Sequence, residues 1–369
     1  MSTPAAPGRD DDEPLTLTPE LLGGHVRSVA AAERERGPYD PEALRRKGVL
    51  AALVHAAGLA GEPDGPLLRK AIEQYRELHS RRRLVFGSHH EDTLSTCHDL
   101  GSALLDANRP HEAQQTLAQA LAGRESVLGT EAPESCTTRF RLAEALLATG
   151  ETHRAMALLK QTVRADERRL PLGDEDRRAR RAALFWASYR AGLQGESIEL
   201  AAGMLRETEQ LYGPDHLEWF VWADNLANAH HEAGDPAAAI PWYERALHGL
   251  SGIFGPEDAR TLLRYRNLAV ARQETGDLGS AIELVREARL SWQRMQGPRG
   301  EDTLATRSHL AELLFRAGRH GEAAIELATL VDDLTEAAGP GHPALPELRA
   351  RMRDAHRLSG PDRTAAAGR

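Results

Sequence analysis

"RNLAVARQETGDLGSAI", Arg266–Ile282, places an Asn-Leu-Ala run before a Thr-Gly-Asp turn and a second apolar stretch after it. Such a segment is either one helical hairpin of a globular domain or one copy of a repeat, and self-comparison decides between them. Steps of 42 residues from Leu268 reach Leu100, Leu142, Leu184, Leu226 and Leu310. Eight residues after each leucine stand Asn108, Gly150, Gly192, Gly234, Gly276 and Gly318, residue types that accept the left-handed backbone ending a helix. Five positions further on, Ala71, Ala113, Ala155, Ser197, Ala239, Ala281 and Ala323 form a small-residue column. A second turn column reads Gly87, Gly129, Pro171, Gly213, Gly255, Gly297 and Gly339. The chain is an array of equal-length units.

Within a unit the apolar residues keep helical spacing on both sides of the first turn, as in Leu94, Cys97, Leu100 and Leu104, then Ala113, Leu117, Ala120 and Leu121. No alternating strand pattern occurs. Each unit therefore reads as two helices of roughly 16 residues joined by a tight turn. The residue after each leucine is Gly101, Ala143, Ala227, Ala269 or Ala311, so the two helices can approach closely. One copy has Phe185 there instead. A ring in a close helix contact costs about 1–3 kcal/mol unless its neighbours adapt, which predicts a splayed or repacked hairpin.

The segment "EDTLATRSHLAELLFRAGRHGEAAIELATLVDDLTEAAGPGHP" and its relatives resemble tetratricopeptide repeats of the kinesin light chain type, which run 42 residues rather than about 34. The resemblance extends from about Gly87 to Pro343, with an eroded unit from Arg45 to Gly87 upstream. It implies an all-α fold, a right-handed α-solenoid of about seven helix-turn-helix repeats with a C-terminal capping helix. The expected division is an acidic, Pro-rich disordered tail (1–20), N-terminal helices with the diverged repeat (21–87), six repeats (88–339), a capping helix (340–358) and a disordered tail (359–369), the array forming one long domain. A HEAT array has a similar period, but this order of leucine, glycine turn and small residue is not expected of it.

The N-terminus has no apolar segment of a signal peptide, and no run reaches the ~20 residues of a membrane span. Cys97 and Cys136 lie on first helices at non-equivalent positions, consistent with buried thiols in a reducing cytoplasm. Of 46 basic residues only Lys47, Lys70 and Lys160 are lysine, the bias of a GC-rich, actinobacterial-like genome. That bias discounts "RRRL" (81–84) and "RRARR" (177–181) as nucleic-acid patches, and the net charge of −9 argues the same way. Both are read as solvated helix faces with acidic neighbours.

No nucleophile-base pair, zinc signature or phosphate loop is present. His230 and His231 are adjacent on a helix, point about 100° apart and cannot readily share one ion. No catalytic residue, metal or cofactor is therefore assigned. Trp219, Trp222, Trp242 and Trp292 suit packing between helices. Trp186, just after the small position, is expected to face the groove.

In proteins of this resemblance, first helices line the concave surface and hold extended peptides. Positions two and one before each leucine, and two and five after it, are expected to point inward or to the rim. They supply the candidate groove set: His98, Arg141, Glu144, Trp186, Tyr189, Asp224, Asn225, Asn228, His231, Arg266, Asn267, His309 and Glu312. Asn225 and Asn267 stand where this repeat type often carries an asparagine that pairs with a peptide backbone, an alternative being that they bridge neighbouring repeats. Asp99, Arg141, Ala183 and His309 fill the same column elsewhere, so binding would centre on the fourth and fifth clear units. The expected function is a non-enzymatic cytoplasmic scaffold for a protein or peptide partner, with no nucleic-acid or membrane partner and an oligomeric state the residues leave open. The alternatives are a stand-alone regulatory sensor binding a small effector or partner ATPase, and an enzyme or assembly factor with a pocket near Trp186, Tyr189 and His231.

Overall fold

The computed structural model describes residues 18–360, and sixteen α-helices with no strand occur among them. They gather into two compact units that divide between Pro171 and Leu172. The first contains α1 (Pro19–Arg36), α2 (Pro41–Leu59), α3 (Pro66–Phe86), α4 (Glu91–Asp106), α5 (Pro110–Leu128), α6 (Pro133–Ala148) and α7 (Thr152–Arg169). The second contains α8 (Glu175–Arg190), α9 (Gln194–Tyr212), α10 (Leu217–Glu232), α11 (Pro236–Phe254), α12 (Ala259–Glu274), α13 (Leu278–Gln296), α14 (Glu301–Arg316), α15 (His320–Ala338) and α16 (Leu345–Ser359). The division falls between the second and third of the six clear copies. Inside each unit every helix packs on the next in chain order, the stacked-hairpin arrangement of a solenoid.

First helices of the six copies are 16 residues long, as expected, whereas second helices reach 18 or 19. The longer helices run on until a residue with positive φ stops them, Gly129 at 92° and Gly213 at 85° for example. Pro171 cannot take that conformation. After α7 the positive φ therefore moves to Gly173, at 89°, and Leu170 is extended. Asp174 still caps α8 in the same 42-residue register as His90, His216 and Asp258. The turn histidines thereby acquire a role, since the His90 and His216 imidazoles accept a backbone N–H two residues on and stack on Phe86 and Tyr212.

The expected tails extend beyond the described residues at 1–17 and 361–369. Thr18 already caps α1, and Ser359 still belongs to α16. In α16, Leu345, Leu348 and Ala355 are buried against α15, and Met352 continues the leucine column.

Both repeat columns are core. All six leucines and the seven small residues from Ala71 to Ala323 are buried. Small residues matter because a Cβ on Gly101 would stand 2.5 Å from Leu117 Cγ. The α8–α9 hairpin repacks rather than losing its core. The partner of the small position is Leu117, Leu159, Tyr243, Val285 or Leu327 in five copies, but Ala201 faces Phe185. Phe185 and Ala201 are both fully buried, so bulk has been exchanged across the contact.

Cys97 and Cys136 are free, buried thiols, and burial pushes Cys97 up to about 11. The arginine run corrects one expectation. Arg180 is buried beside Asp176 at 2.8 Å, Arg181 pairs with buried Glu207 at 2.5 Å, and Arg178 binds Glu218. The acidic neighbours are present, but these groups are not a solvated face: the guanidiniums lie along packed helices whose carboxylates neutralise them.

Candidate functional site

First helices of adjacent repeats lie side by side within a unit, so a groove row forms where their side chains meet. A 39-residue offset recurs in these meetings. Arg141 Nη2 donates to the Ser102 carbonyl at 3.3 Å, Asn267 Nδ2 to Asn228 Oδ1 at 3.4 Å, and Arg351 to Glu312. Each joins the position two after one leucine to the position one before the next.

The row of the first unit is internally neutralised. Arg141 reaches Asp106 Oδ1 at 2.7 Å and Glu144 Oε2 at 2.9 Å, and Asp106 Oδ2 lies 2.9 Å from His55 Nε2. Burial works against the Asp106 charge, but hydrogen bonds from His55 and Arg141 hold its carboxyl below the usual range. His98 touches Thr138 Oγ1 at 3.2 Å. Burial, with Arg124 and Arg141 adding repulsion, lowers His98 to about 3. Neighbouring Asp99 is pushed the other way, upward, by burial, against the pull of Arg124, His55 and Arg82.

The second unit has a more open row. Trp186 is 47 % exposed and meets Tyr189 edge-on at 5.9 Å. Asp224 is buried, not at the rim, and its Oδ2 accepts from Arg264 at 2.8 Å and from Asn228 at 3.5 Å. Its Oδ1 is buried without a partner, and burial raises the carboxyl despite Arg264. Asn228 Oδ1 also accepts from Tyr243 Oη at 2.8 Å. Asn228 and Asn267 thus bridge two repeats. Asn225 is 7 % exposed and its amide makes no hydrogen bond among the described residues; its counterpart at the 39-residue offset is Trp186. His231 Nε2 lies 2.7 Å from Glu274 and His309 Nε2 3.2 Å from Gln273 Oε1. Arg266 is exposed and makes no ion pair or hydrogen bond among the described residues.

The partners missed from sequence, Asp106, Arg264 and Glu274, lie outside the four positions considered, whereas Gln273 stands at one of them, five after Leu268. Their signal was available in the spacing, 35 to 43 residues from a groove residue of opposite or complementary character. Among the described residues no three or more His, Cys, Asp or Glu side chains gather to hold a metal, and no helix is long and apolar enough to cross a membrane.

Tetratricopeptide repeat models match residues 67–126 and 254–330, 98–169, and 221–259, together more than half of the chain. No curated protein matches. Among solved structures, the C-terminal part of a tetratricopeptide repeat-containing protein from Cytophaga hutchinsonii is 12 % identical over 83 % of this chain and 98 % of that one, with a TM-score of 0.56. A Signal Transduction ATPase with Numerous Domains from Pyrococcus horikoshii, which carries a tetratricopeptide repeat sensor, is 14 % identical over 94 % of this chain and 50 % of that one, at 0.53. BtubC (BKLC) from P. vanneervenii is 18 % identical over 65 % and 93 %, at 0.52. At these identities the likeness to solved structures is one of fold. The repeat models, the 42-residue spacing and the stacked hairpins agree, and the chain belongs to the tetratricopeptide repeat family.

Proposed function

We propose that the chain is a non-enzymatic scaffold that holds an extended peptide segment of a partner protein along the first-helix row of its second unit. The observation that carries this reading is that on that row Asn225 makes no hydrogen bond among the described residues, while Asn267, one repeat on, engages only its Nδ2, toward Asn228, and keeps its Oδ1 unpaired. An amide pairs with the donor and the acceptor of one peptide unit, so it suits main-chain recognition. Trp186 and Arg266 add an apolar and a cationic contact beside them. Family membership supports a protein partner in general terms, and the groove assignment rests on the geometry.

The test is selection of binding peptides from a random library, followed by titration of the best against Asn225→Ala/Asn267→Ala. Loss of two bonds to a peptide backbone predicts weakening of about tenfold or more. An N-methylated version of the peptide should lose a similar factor. Peptides that bind both proteins equally would remove the asparagines from the site.

A second reading is a sensor for a small effector, favoured by the fold likeness to the Pyrococcus horikoshii sensor protein. Thermal stabilisation by a small molecule, with no peptide selected, would favour it.

A further inference from the structure

The second-helix arginines of the first unit act as struts. Arg82 Nη1 donates to Thr96 Oγ1 and to the Asp92 carbonyl, both at 2.9 Å. Arg124 repeats this with Thr138 Oγ1 at 2.6 Å and the Glu134 carbonyl at 3.0 Å, and its Nη2 reaches Ser95 Oγ at 3.2 Å. Steps of 42 residues carry this column to Trp292 on α13. An indole has one N–H donor and cannot repeat the bidentate strut. The space between α12, α13 and α14 stays open there as a cavity of about 310 Å³.

Leu262, Leu263, Val285 and Trp292 supply apolar walls of this cavity, and Arg266 and Asp302 are its charged members. Asp302 is already engaged, its Oδ2 accepting from Gln296 at 2.8 Å. Arg266 is not. His309, which also lines the cavity, is held toward its neutral form by burial and then by Arg266. The wall is therefore apolar with a single uncommitted cation.

We propose that this cavity binds an amphipathic monocarboxylate, an aromatic or branched apolar body packed on Trp292 and Val285 with its one carboxylate on Arg266. Its volume fits: benzene occupies an engineered cavity of about 150 Å³, which leaves room here for a ring and a short tail. A dianion such as a phosphate monoester is disfavoured by the Asp302 carboxylate in the same lining. The same chemistry is offered by a free aromatic acid or by the last residue of a peptide with a free C-terminus. The cavity shares Arg266 with the peptide groove but neither Asn225 nor Asn267, so the two readings are separated by the Asn225→Ala/Asn267→Ala protein, which should lose the selected peptides and keep the acid.

Isothermal titration of the full chain with 3-phenylpropionate, 3-phenylpropionamide and the tripeptide Ala-Ala-Phe tests it. An acid of this size is expected to bind with a Kd of roughly 1–10 mM. Trp292→Arg restores the strut, and Ala288→Leu plugs the cavity without a charge; each should weaken the acid at least tenfold. Arg266→Gln should weaken the acid about fivefold and leave the amide unchanged. Asn225→Ala/Asn267→Ala should change nothing. Tighter binding of the tripeptide identifies a peptide terminus as the source, and tighter binding of 3-phenylpropionate a free acid. No saturable binding of either carboxylate, undiminished binding to a folded Ala288→Leu protein, or an acid affinity indifferent to Arg266→Gln overturns the proposal.

Discussion

Phe185 on α8 and Ala201 on α9 face each other with their sizes reversed relative to the other five hairpins, where a Gly or Ala faces Leu, Tyr or Val. Phe185→Ala alone should cost about 3–5 kcal/mol by leaving a cavity. Ala201→Leu alone should cost about 1–3 kcal/mol by overpacking. The double change recreates the arrangement of Ala143 and Leu159, and a double-mutant cycle read by urea denaturation should show coupling of at least about 2 kcal/mol. Additive losses would mean that the two side chains do not share one space.

Gly249 on α11 poses a contest between two effects. Alanine there gains about 1 kcal/mol of helix propensity. Its Cβ would also stand 2.2 Å from Phe220 Cζ, with two further ring atoms at 2.3 Å. Both residues are buried, so the ring has little space to yield, and overpacking at about 1–3 kcal/mol wins. Gly249→Ala should lower the melting temperature. Adding Phe220→Leu, which imitates Leu262 facing Ser291, should recover most of the loss.

The Arg264–Asp224 pair is more valuable to keep than to have formed. Arg264→Ala strands a buried carboxylate whose Oδ1 already lacks a partner, and should cost about 3–5 kcal/mol at neutral pH. Asp224→Asn removes the charge and should cost about 1 kcal/mol. Burial already raises Asp224, and losing Arg264 raises it further. The penalty of Arg264→Ala belongs to the ionised carboxylate, so it should shrink as pH falls and Asp224 takes up a proton. A penalty constant with pH would place the damage elsewhere.

His98 should leave a signature in the acid limb of the stability curve. Its folded value, lowered to about 3, lies below the unfolded value near 6.5. The unfolded chain therefore binds the extra proton across that window, and stability contributed by neutral His98 is complete above pH 6.5 and lost as pH falls toward 3. Asp99, shifted upward, works in the opposite sense, because its ionisation penalty is relieved as pH falls. His98→Gln should flatten the decline between pH 6.5 and 4 by roughly 1–3 kcal/mol, measured against Asp99→Asn as the counter-control. An unchanged slope would show that His98 is protonated in the folded protein.

The helix order, the glycine turns and the buried leucine and alanine columns were legible in the sequence, because a repeat states each rule six times over. Exceptions were legible only where both sides of a contact were followed. Phe185 was visible as a misfit; its remedy at Ala201 sits in a column defined by bulk, which a search for small residues passes over. Of the four groove positions in its repeat, the one held by Trp186 is exposed. Spacing alone did not separate buried Asp224 and Asn225 from exposed Arg266, since a helix period sets direction and not the depth at which the neighbouring repeat covers a side chain. The ion pairs of Arg178, Arg180 and Arg181 were obscured for the same reason: composition shows that acids are near, and only packing shows that they close over the guanidiniums.

Pro171 occupies a place where its sister corners have glycine, the left-handed residue shifts two places to Gly173, and yet Asp174 opens α8 on schedule. The sequence register of the caps is thus kept although the turn residue has moved. Such corners are the natural points for grafting an epitope or a fluorophore, because the residue that carries the left-handed turn can change place while the next helix still opens at its own cap.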